Sequence, residues 1–141
     1  MATSTPKDGV PGEGAGNIAG DPPASPHVLV VDDEEAVRYV YARYLEHAGY
    51  RFTTAASGQE ALRAFQACRP DLVITDYRMP GMSGVELVRQ LRTLSTVPVI
   101  LVSAYLFEAG ALPAGVRLLS KPVGMSAFLA ATAAAAPRAG R

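Results

Sequence analysis

Residues 71–84 read DLVITDYRMPGMSG, a short apolar run that ends on a carboxylate, Asp76, and is followed by a Pro/Gly-rich break. The apolar run is typical of a buried strand, and the break is typical of a loop. An aspartate after a strand is most often a helix N-cap or a loop residue. Taken alone, Asp76 therefore indicates no particular chemistry, and its meaning depends on the rest of the chain.

The same arrangement recurs along the sequence. Short apolar runs alternate with segments of helical period, which predicts βαβ units and an α/β fold built on a parallel sheet. We predict five strands in the order 2-1-3-4-5, a doubly wound sheet with its half-polar second strand at the margin. The predicted strands lie at residues 28–31, 50–56, 72–75, 97–102 and 115–120.

Helices are predicted between these strands. Apolar residues at helical spacing from Ala36 to Ala48 indicate the first helix, and Gly49 can supply a left-handed stop. Ser57 and Ser83 each precede a glutamate by three residues, the pattern of a capping box. The alanine-rich segment after Lys121-Pro122 predicts a last helix that presents Phe128 and Leu129 to the core and ends at Pro137. Between the fourth and fifth strands, residues 104–115 leave room only for a short or irregular helix.

Composition divides the chain into one domain and two tails. Residues 1–27 hold five Gly, five Pro and no aromatic residue, which predicts a disordered Gly/Pro-rich N-terminal tail. Residues 28–136 form the predicted domain, and residues 137–141 are expected to fray. A chain of 141 residues is enough for one core. No segment is left for an attached effector domain, so output is expected to pass through another protein, unless the chain is a fragment.

Charge and cysteine content narrow the function classes. Thirteen basic and thirteen acidic residues give a formal net charge of zero, which argues against direct binding to nucleic acid or an anionic membrane. The single cysteine, Cys68, cannot form an internal disulfide, and the sequence has no apparent signal peptide or membrane-spanning run. We therefore expect a soluble, cytoplasmic protein.

Polar residues follow four of the five predicted strands. Because parallel strands joined by right-handed crossovers end at one sheet edge, these residues should lie together. Three neighbouring carboxylates repel one another unless a cation lies among them, and their oxygens suit Mg²⁺. A carboxylate beside Mg²⁺ can attack phosphorus and form an aspartyl-phosphate, with a lysine and a hydroxyl as donors to the phosphoryl oxygens. The residues concerned are Asp32, Asp33, Asp76, Ser103 and Lys121.

Four motifs make the chain resemble the receiver domain of two-component response regulators, which has a flavodoxin-like fold. They are VLVVDDEEAVR, PDLVITDYRMPGMSG, VILVSA and LLSKP, in the family's order. The resemblance implies that Asp76 is the phospho-acceptor, with Ser103 as the switch hydroxyl and Lys121 as the phosphate-pairing cation. It implies that Asp33 binds Mg²⁺ directly, that Asp32 holds a metal-bound water, and that the carbonyl of Arg78 is a third protein ligand.

The resemblance also implies partners and a mode of action. A sensor histidine kinase or a histidine phosphotransfer protein would donate the phosphoryl group, and an unknown downstream protein would read the result. The chain is then not expected to be an enzyme: its only reactions would be accepting this group and hydrolysing its own aspartyl-phosphate. Ala104 matches the small residue that keeps the phosphoryl group accessible, and Lys121-Pro122 matches the family's cis-proline turn.

Two departures concern the output rather than the chemistry. Leu118 stands where the family commonly has a switch aromatic, and the interval from Ser103 to Lys121 is short. These departures leave open an alternative, a receiver-fold interaction module that works independently of phosphorylation. A flavin-binding protein of the same fold is disfavoured, because DDEE after the first strand would repel the flavin's phosphate.

Overall fold

Five strands and four helices lie within residues 25–104 and 112–136, the part of the chain that this computed structural model describes, and they alternate except that β5 follows β4 with no described helix between them. The strands are β1 (His27–Val31), β2 (Arg51–Ala55), β3 (Leu72–Asp76), β4 (Val99–Ser103) and β5 (Val116–Ser120). The helices are α1 (Glu35–His47), α2 (Gly58–Cys68), α3 (Gly84–Arg92) and α4 (Met125–Ala135). None of the helices described is long and apolar enough to cross a lipid bilayer.

All four strand pairs are parallel, and the strand order is β2-β1-β3-β4-β5. This confirms the predicted fold class and the position of β2 at the margin. After β1, the chain forms β2 on one side of β1 and then returns to form β3 on its other side. The order therefore reverses between β1 and β3, the point at which open α/β sheets commonly bind ligands at the carboxyl ends of their strands.

The helices cover both faces of the sheet. Successive strand residues point to opposite faces, so Val28 and Val30 pack with one core cluster and Leu29 and Val31 with the other. The first cluster includes Tyr41 and Leu45 of α1 and Phe128 of α4, and the second includes side chains of α2 and α3. Burial on both faces explains why β1, β3 and β4 read as continuous apolar runs rather than alternating ones.

Strand boundaries differ from the predictions by one or two residues. β1 begins at His27, because the N–H of His27 donates to the Asp71 carboxylate at 2.8 Å and the Asp71 N–H donates to the His27 carbonyl at 2.7 Å. β4 begins at Val99, since Pro98 has no N–H for the ladder. Asp76 and Ser103, predicted to follow their strands, are the last residues of β3 and β4.

The helix ends follow the predicted capping signals with one difference. At Ser83 both halves of the capping box form, whereas at Ser57 the hydroxyl accepts from the Glu60 N–H but the Glu60 carboxylate accepts from the Ala56 N–H at 2.8 Å. Gly49 has a φ of +87°, as a left-handed stop requires. Phe128 is fully buried and Leu129 packs partly buried beside it, as predicted for the last helix.

Some predictions fall wholly or partly outside the described residues. Of the tail predicted over residues 1–27, residues 25–27 are described: His27 begins β1, and the Pro26 carbonyl accepts the Arg51 N–H at 3.2 Å. The disorder predicted for residues 1–24, the fraying of residues 137–141 and most of the short or irregular helix expected over residues 104–115 lie outside the described residues. The described remainder of that last segment, Ala104 and residues 112–115, is not helical. The Lys121-Pro122 peptide bond after β5 is cis, as the resemblance implied.

Candidate functional site

Asp32 is a buried carboxylate at the carboxyl end of β1, with 2% of its surface exposed. Its backbone N–H donates to the Ala55 carbonyl at 3.1 Å, which ties the residue to β2. Its Oδ1 accepts the Glu34 N–H at 2.9 Å. Its Oδ2 is buried and receives no hydrogen bond from the described residues. One oxygen of Asp32 is therefore held by the loop, and the other lacks a donor.

Asp76 and Lys121 form an ion pair at the same edge. Asp76 ends β3 and is 6% exposed, and Lys121 follows β5 directly. The Lys121 Nζ lies 2.6 Å from the Asp76 Oδ1. Since β4 lies between these two strands, the lysine side chain reaches across the end of β4 to the carboxylate.

Asp33 joins the other two carboxylates to form a triad. Each of Asp32, Asp33 and Asp76 offers an oxygen, and these oxygens lie within 4.8 Å of one another. Asp33 is exposed to solvent while its two neighbours are buried. Hard oxygen donors, two buried charges and the unpartnered Asp32 Oδ2 fit a small divalent cation such as Mg²⁺.

Burial raises the pKa of Asp32 from 3.8 to about 6. The hydrogen bond from the Glu34 N–H and, more weakly, the charge of Lys121 lower this pKa. The charges of Asp76 and Asp33 raise it further. The carboxylate is thus poised to lose its proton more readily when a cation is present.

The pKa of Asp76 is also raised, first by burial, although the hydrogen bond and charge of Lys121 act in the opposite direction. Burial lowers the pKa of Lys121, but the hydrogen bond and charge of Asp76 outweigh burial and raise the pKa above its ordinary value. The lysine is therefore charged at neutral pH. The Lys121 contact is the strongest local influence that favours an ionised Asp76.

Ser103 and Arg78 complete the predicted set. Ser103 ends β4 with 3% exposure, and its carbonyl accepts the Lys121 N–H at 3.0 Å. Arg78 lies two residues beyond Asp76, in the loop between β3 and α3. This loop lines a cleft of about 430 Å³ bounded by Tyr77, Arg78, Met79, Pro80 and Ser83.

The backbone behind Asp76 is packed against a glycine for which sequence reasoning assigned no role. The Gly84 N–H donates to the Tyr77 carbonyl at 2.8 Å. A Cβ added to Gly84 would lie 2.3 Å from the Asp76 carbonyl oxygen and 2.7 Å from Leu101 Cδ1. Its place next to the cap residue Ser83 is the sequence signal that could have identified it.

Leu118, noted for its bearing on output, and Ala104, noted for access to the phosphoryl group, are both exposed. Leu118 is 37% exposed on β5, and Ala104, just beyond Ser103, is exposed as well. Tyr105, two residues beyond Ser103, lies outside the described residues.

Comparisons with known proteins agree with the fold and the motifs. A sequence profile described as the response regulator receiver domain matches residues 28–133. The transcriptional regulatory protein KdpE of Mycobacterium tuberculosis is 41% identical over 115 residues, covering 79% of this chain and 51% of KdpE. The transcriptional regulatory protein CseB of Streptomyces avermitilis is 44% identical over 78 residues, covering 55% of this chain and 33% of CseB.

Among solved structures, the chemotaxis protein CheY4 of Vibrio cholerae superposes with a TM-score of 0.74 at 31% identity. The match covers 79% of this chain and 99% of CheY4. The aligned regions thus span about a third of CseB and half of KdpE, but nearly all of CheY4. These comparisons do not favour the alternative of an interaction module that works independently of phosphorylation.

Proposed function

This chain belongs to the response regulator receiver domain family, and we propose from that premise that Asp76 accepts a phosphoryl group from a phosphohistidine donor. The observation that carries the proposal is the 2.6 Å contact of Lys121 Nζ with Asp76 Oδ1, beside two further carboxylates at the sheet edge. A cation held against one carboxylate within an acidic cluster suits a phosphoryl group, whose oxygens need neutralising as transfer proceeds.

In the proposed reaction a carboxylate oxygen of Asp76 attacks the phosphorus atom. A P–O bond forms and the P–N bond to the donor histidine breaks, and the imidazole nitrogen keeps the electron pair. Lys121 pairs with the negative phosphoryl oxygens, and the Ser103 hydroxyl donates a hydrogen bond to another of them. The burial of Asp76 limits the water around the carboxylate, which strengthens these interactions.

We assign the proposed Mg²⁺ site to the carboxylates of Asp32, Asp33 and Asp76 and to the carbonyl of Arg78. When bound, the ion supplies positive charge that offsets the repulsion among the carboxylates and with the phosphoryl oxygens. The unpartnered Oδ2 of Asp32 supports this assignment, because a buried carboxylate oxygen without a donor is costly unless a cation or water meets it.

The proposed donor is a sensor histidine kinase or a histidine phosphotransfer protein, and the proposed output is altered affinity for a downstream protein. Slow hydrolysis of the aspartyl-phosphate would reset the domain. A cytoplasmic location is part of the proposal, and a single cysteine is in keeping with a reducing compartment. Direct binding to nucleic acid or to a membrane is not part of the proposal, because the net charge is zero.

Acetyl phosphate with Mg²⁺, followed by intact-mass measurement, tests the acceptor. We expect one added phosphoryl group on the wild-type chain and none on Asp76→Asn, whose amide is a poor nucleophile. Glu46→Gln is the matched control, because Glu46 is an exposed carboxylate on α1 that pairs only with nearby Arg43 among the contacts described. This control should be phosphorylated like the wild type. A folded wild-type chain that gains no phosphoryl group, or an Asp76→Asn variant that still gains one, would overturn the proposal.

A further inference from the structure

Arg38 contacts the loop that carries two of the three clustered carboxylates. It lies on α1, and its Nη1 donates to the backbone carbonyl of Asp32 at 2.8 Å. The guanidinium is thus directed back along the helix towards the end of β1. The side chain is half-buried, which leaves the contact partly shielded from water.

With Arg38 included, Asp32 is held at three of its polar atoms. Its N–H donates to Ala55, its carbonyl accepts from Arg38, and its Oδ1 accepts from Glu34. Only Oδ2 has no described donor. The three bonds come from β2, α1 and the β1–α1 loop, so the peptide and the carboxylate of Asp32 have little freedom to rotate.

The position of Arg38 in its helix is not explained by helix stability. Its own N–H donates to the Glu34 carbonyl at 3.1 Å, one of the first bonds of α1. A positive charge near the amino-terminal end of a helix is disfavoured by the helix dipole. The bond to the Asp32 carbonyl gives the guanidinium a specific partner near the amino-terminal end of α1. Asp32 is also one of the three clustered carboxylates.

We propose that Arg38 is a positioning residue, which holds the Asp32–Asp33 segment so that the free Asp32 Oδ2 and the Asp33 carboxylate converge with Asp76 on a cation. The inference rests on the metal site proposed above. Residues that orient metal ligands without touching the metal commonly contribute a large part of its affinity. Loss of the Arg38 bond leaves the peptide between the two aspartates free to turn, which separates the carboxylate oxygens.

Titration calorimetry with Mg²⁺ alone, on the unphosphorylated full chain, measures this effect directly. We expect Arg38→Met, which keeps an unbranched stem but has no donor, to raise the Mg²⁺ dissociation constant about tenfold or more. Arg38→Lys, which keeps a charge and one donor group, should restore part of the lost affinity. The matched control is Arg43→Met on the same helix, which removes the same charge from an exposed pair with Glu46 and should change the constant by less than about twofold.

Unfolding curves in Mg²⁺-free buffer separate positioning from general stability. A merely structural role would lower the unfolding midpoint of Arg38→Met while the folded variant bound Mg²⁺ with wild-type affinity, and that result would overturn the inference. Equal losses of affinity in Arg38→Met and Arg43→Met would overturn it too, since charge alone would then account for both. If the wild-type chain bound no Mg²⁺, both this inference and the metal site would fail, whereas the mass measurement reports on Asp76 separately.

Discussion

Asp32 shows how burial of one residue couples the site to the stability of the domain. Its pKa of about 6 means that the folded protein takes up a proton that the unfolded chain takes up only near 3.8. The protonated Asp32 therefore contributes to the free energy of unfolding fully below pH 3.8, and this contribution is lost as the pH rises through 6. His27 acts in the opposite sense, because burial lowers its pKa to about 4, so its contribution is lost as pH falls from 6.5 through 4.

Because these two groups oppose each other, the effect of Asp32 is best measured as a difference. Asp32→Asn removes a buried charge, and in Mg²⁺-free buffer at pH 8 we expect it to raise the free energy of unfolding by about 1–3 kcal/mol. Urea unfolding of both proteins from pH 8 to pH 5 should show this advantage shrinking as the wild-type Asp32 becomes protonated. An advantage that is absent at pH 8, or that grows towards pH 5, would contradict the assigned cause.

At the scale of the elements, two helices begin with the same Ser-Gly pair but meet different surroundings. Ser57-Gly58 starts α2 and Ser83-Gly84 starts α3. A Cβ on Gly58 would press on the side chain of Met82, with its sulfur at 2.6 Å, whereas a Cβ on Gly84 would press on the Asp76 carbonyl oxygen at 2.3 Å. The Met82 sulfur can move aside by side-chain rotation, and the Met82 Cβ, at 2.9 Å, can move with its loop, but the backbone at the end of β3 cannot move without displacing Asp76.

We therefore expect Gly84→Ala to lower the free energy of unfolding by about 2–3 kcal/mol and to slow phosphorylation of Asp76 by acetyl phosphate. Gly58→Ala is the matched variant, and we expect it to cost about 1 kcal/mol, because the Met82 side chain can repack with a small shift of its loop and alanine is the better helix former. Thermal unfolding and the rate of mass gain measure the two effects. Equal costs at the two positions would show that the close approach behind Asp76 is not what requires glycine.

At the scale of the whole molecule, α1 and α4 share one face of the sheet and meet through aromatic rings. The Phe128 ring of α4 stacks on Tyr41 of α1 with ring centroids 4.7 Å apart, and it meets the edge of Tyr44 at 5.3 Å. Most other residues of α4 are alanine or small polar residues, so Phe128 provides most of its buried apolar volume. The helix that follows Lys121 is thus anchored to the helix that carries Arg38.

Phe128→Ala should lower the free energy of unfolding by about 3–5 kcal/mol, because it removes a fully buried ring and leaves a cavity between the two helices. Met125→Ala on the same helix is the control, since Met125 is 42% exposed, and its effect should stay within about 0.5 kcal/mol. Chemical unfolding followed by circular dichroism measures both. A loss below about 1 kcal/mol for Phe128→Ala would mean that α4 contributes little to the core.

The sequence alone was sufficient for the strands, their parallel order and the edge at which Asp32, Asp33, Asp76, Ser103 and Lys121 gather. Apolar runs and helical periods depend on near neighbours, and chain-crossover rules convert them into a topology. Asp76 could be placed in this way, because the residues around it in the chain already marked the end of a strand.

Only the tertiary structure decided how closely residues distant in the chain are held together. The Lys121 contact with Asp76, the raised pKa of Asp32 and the backbone approach behind Gly84 arise between different elements of the fold. The bond from Arg38 to the Asp32 carbonyl depends on where α1 lies relative to the end of β1. Such distances and degrees of burial are set by packing over the whole sheet, so a local pattern can indicate which side chains meet but not how closely they are held.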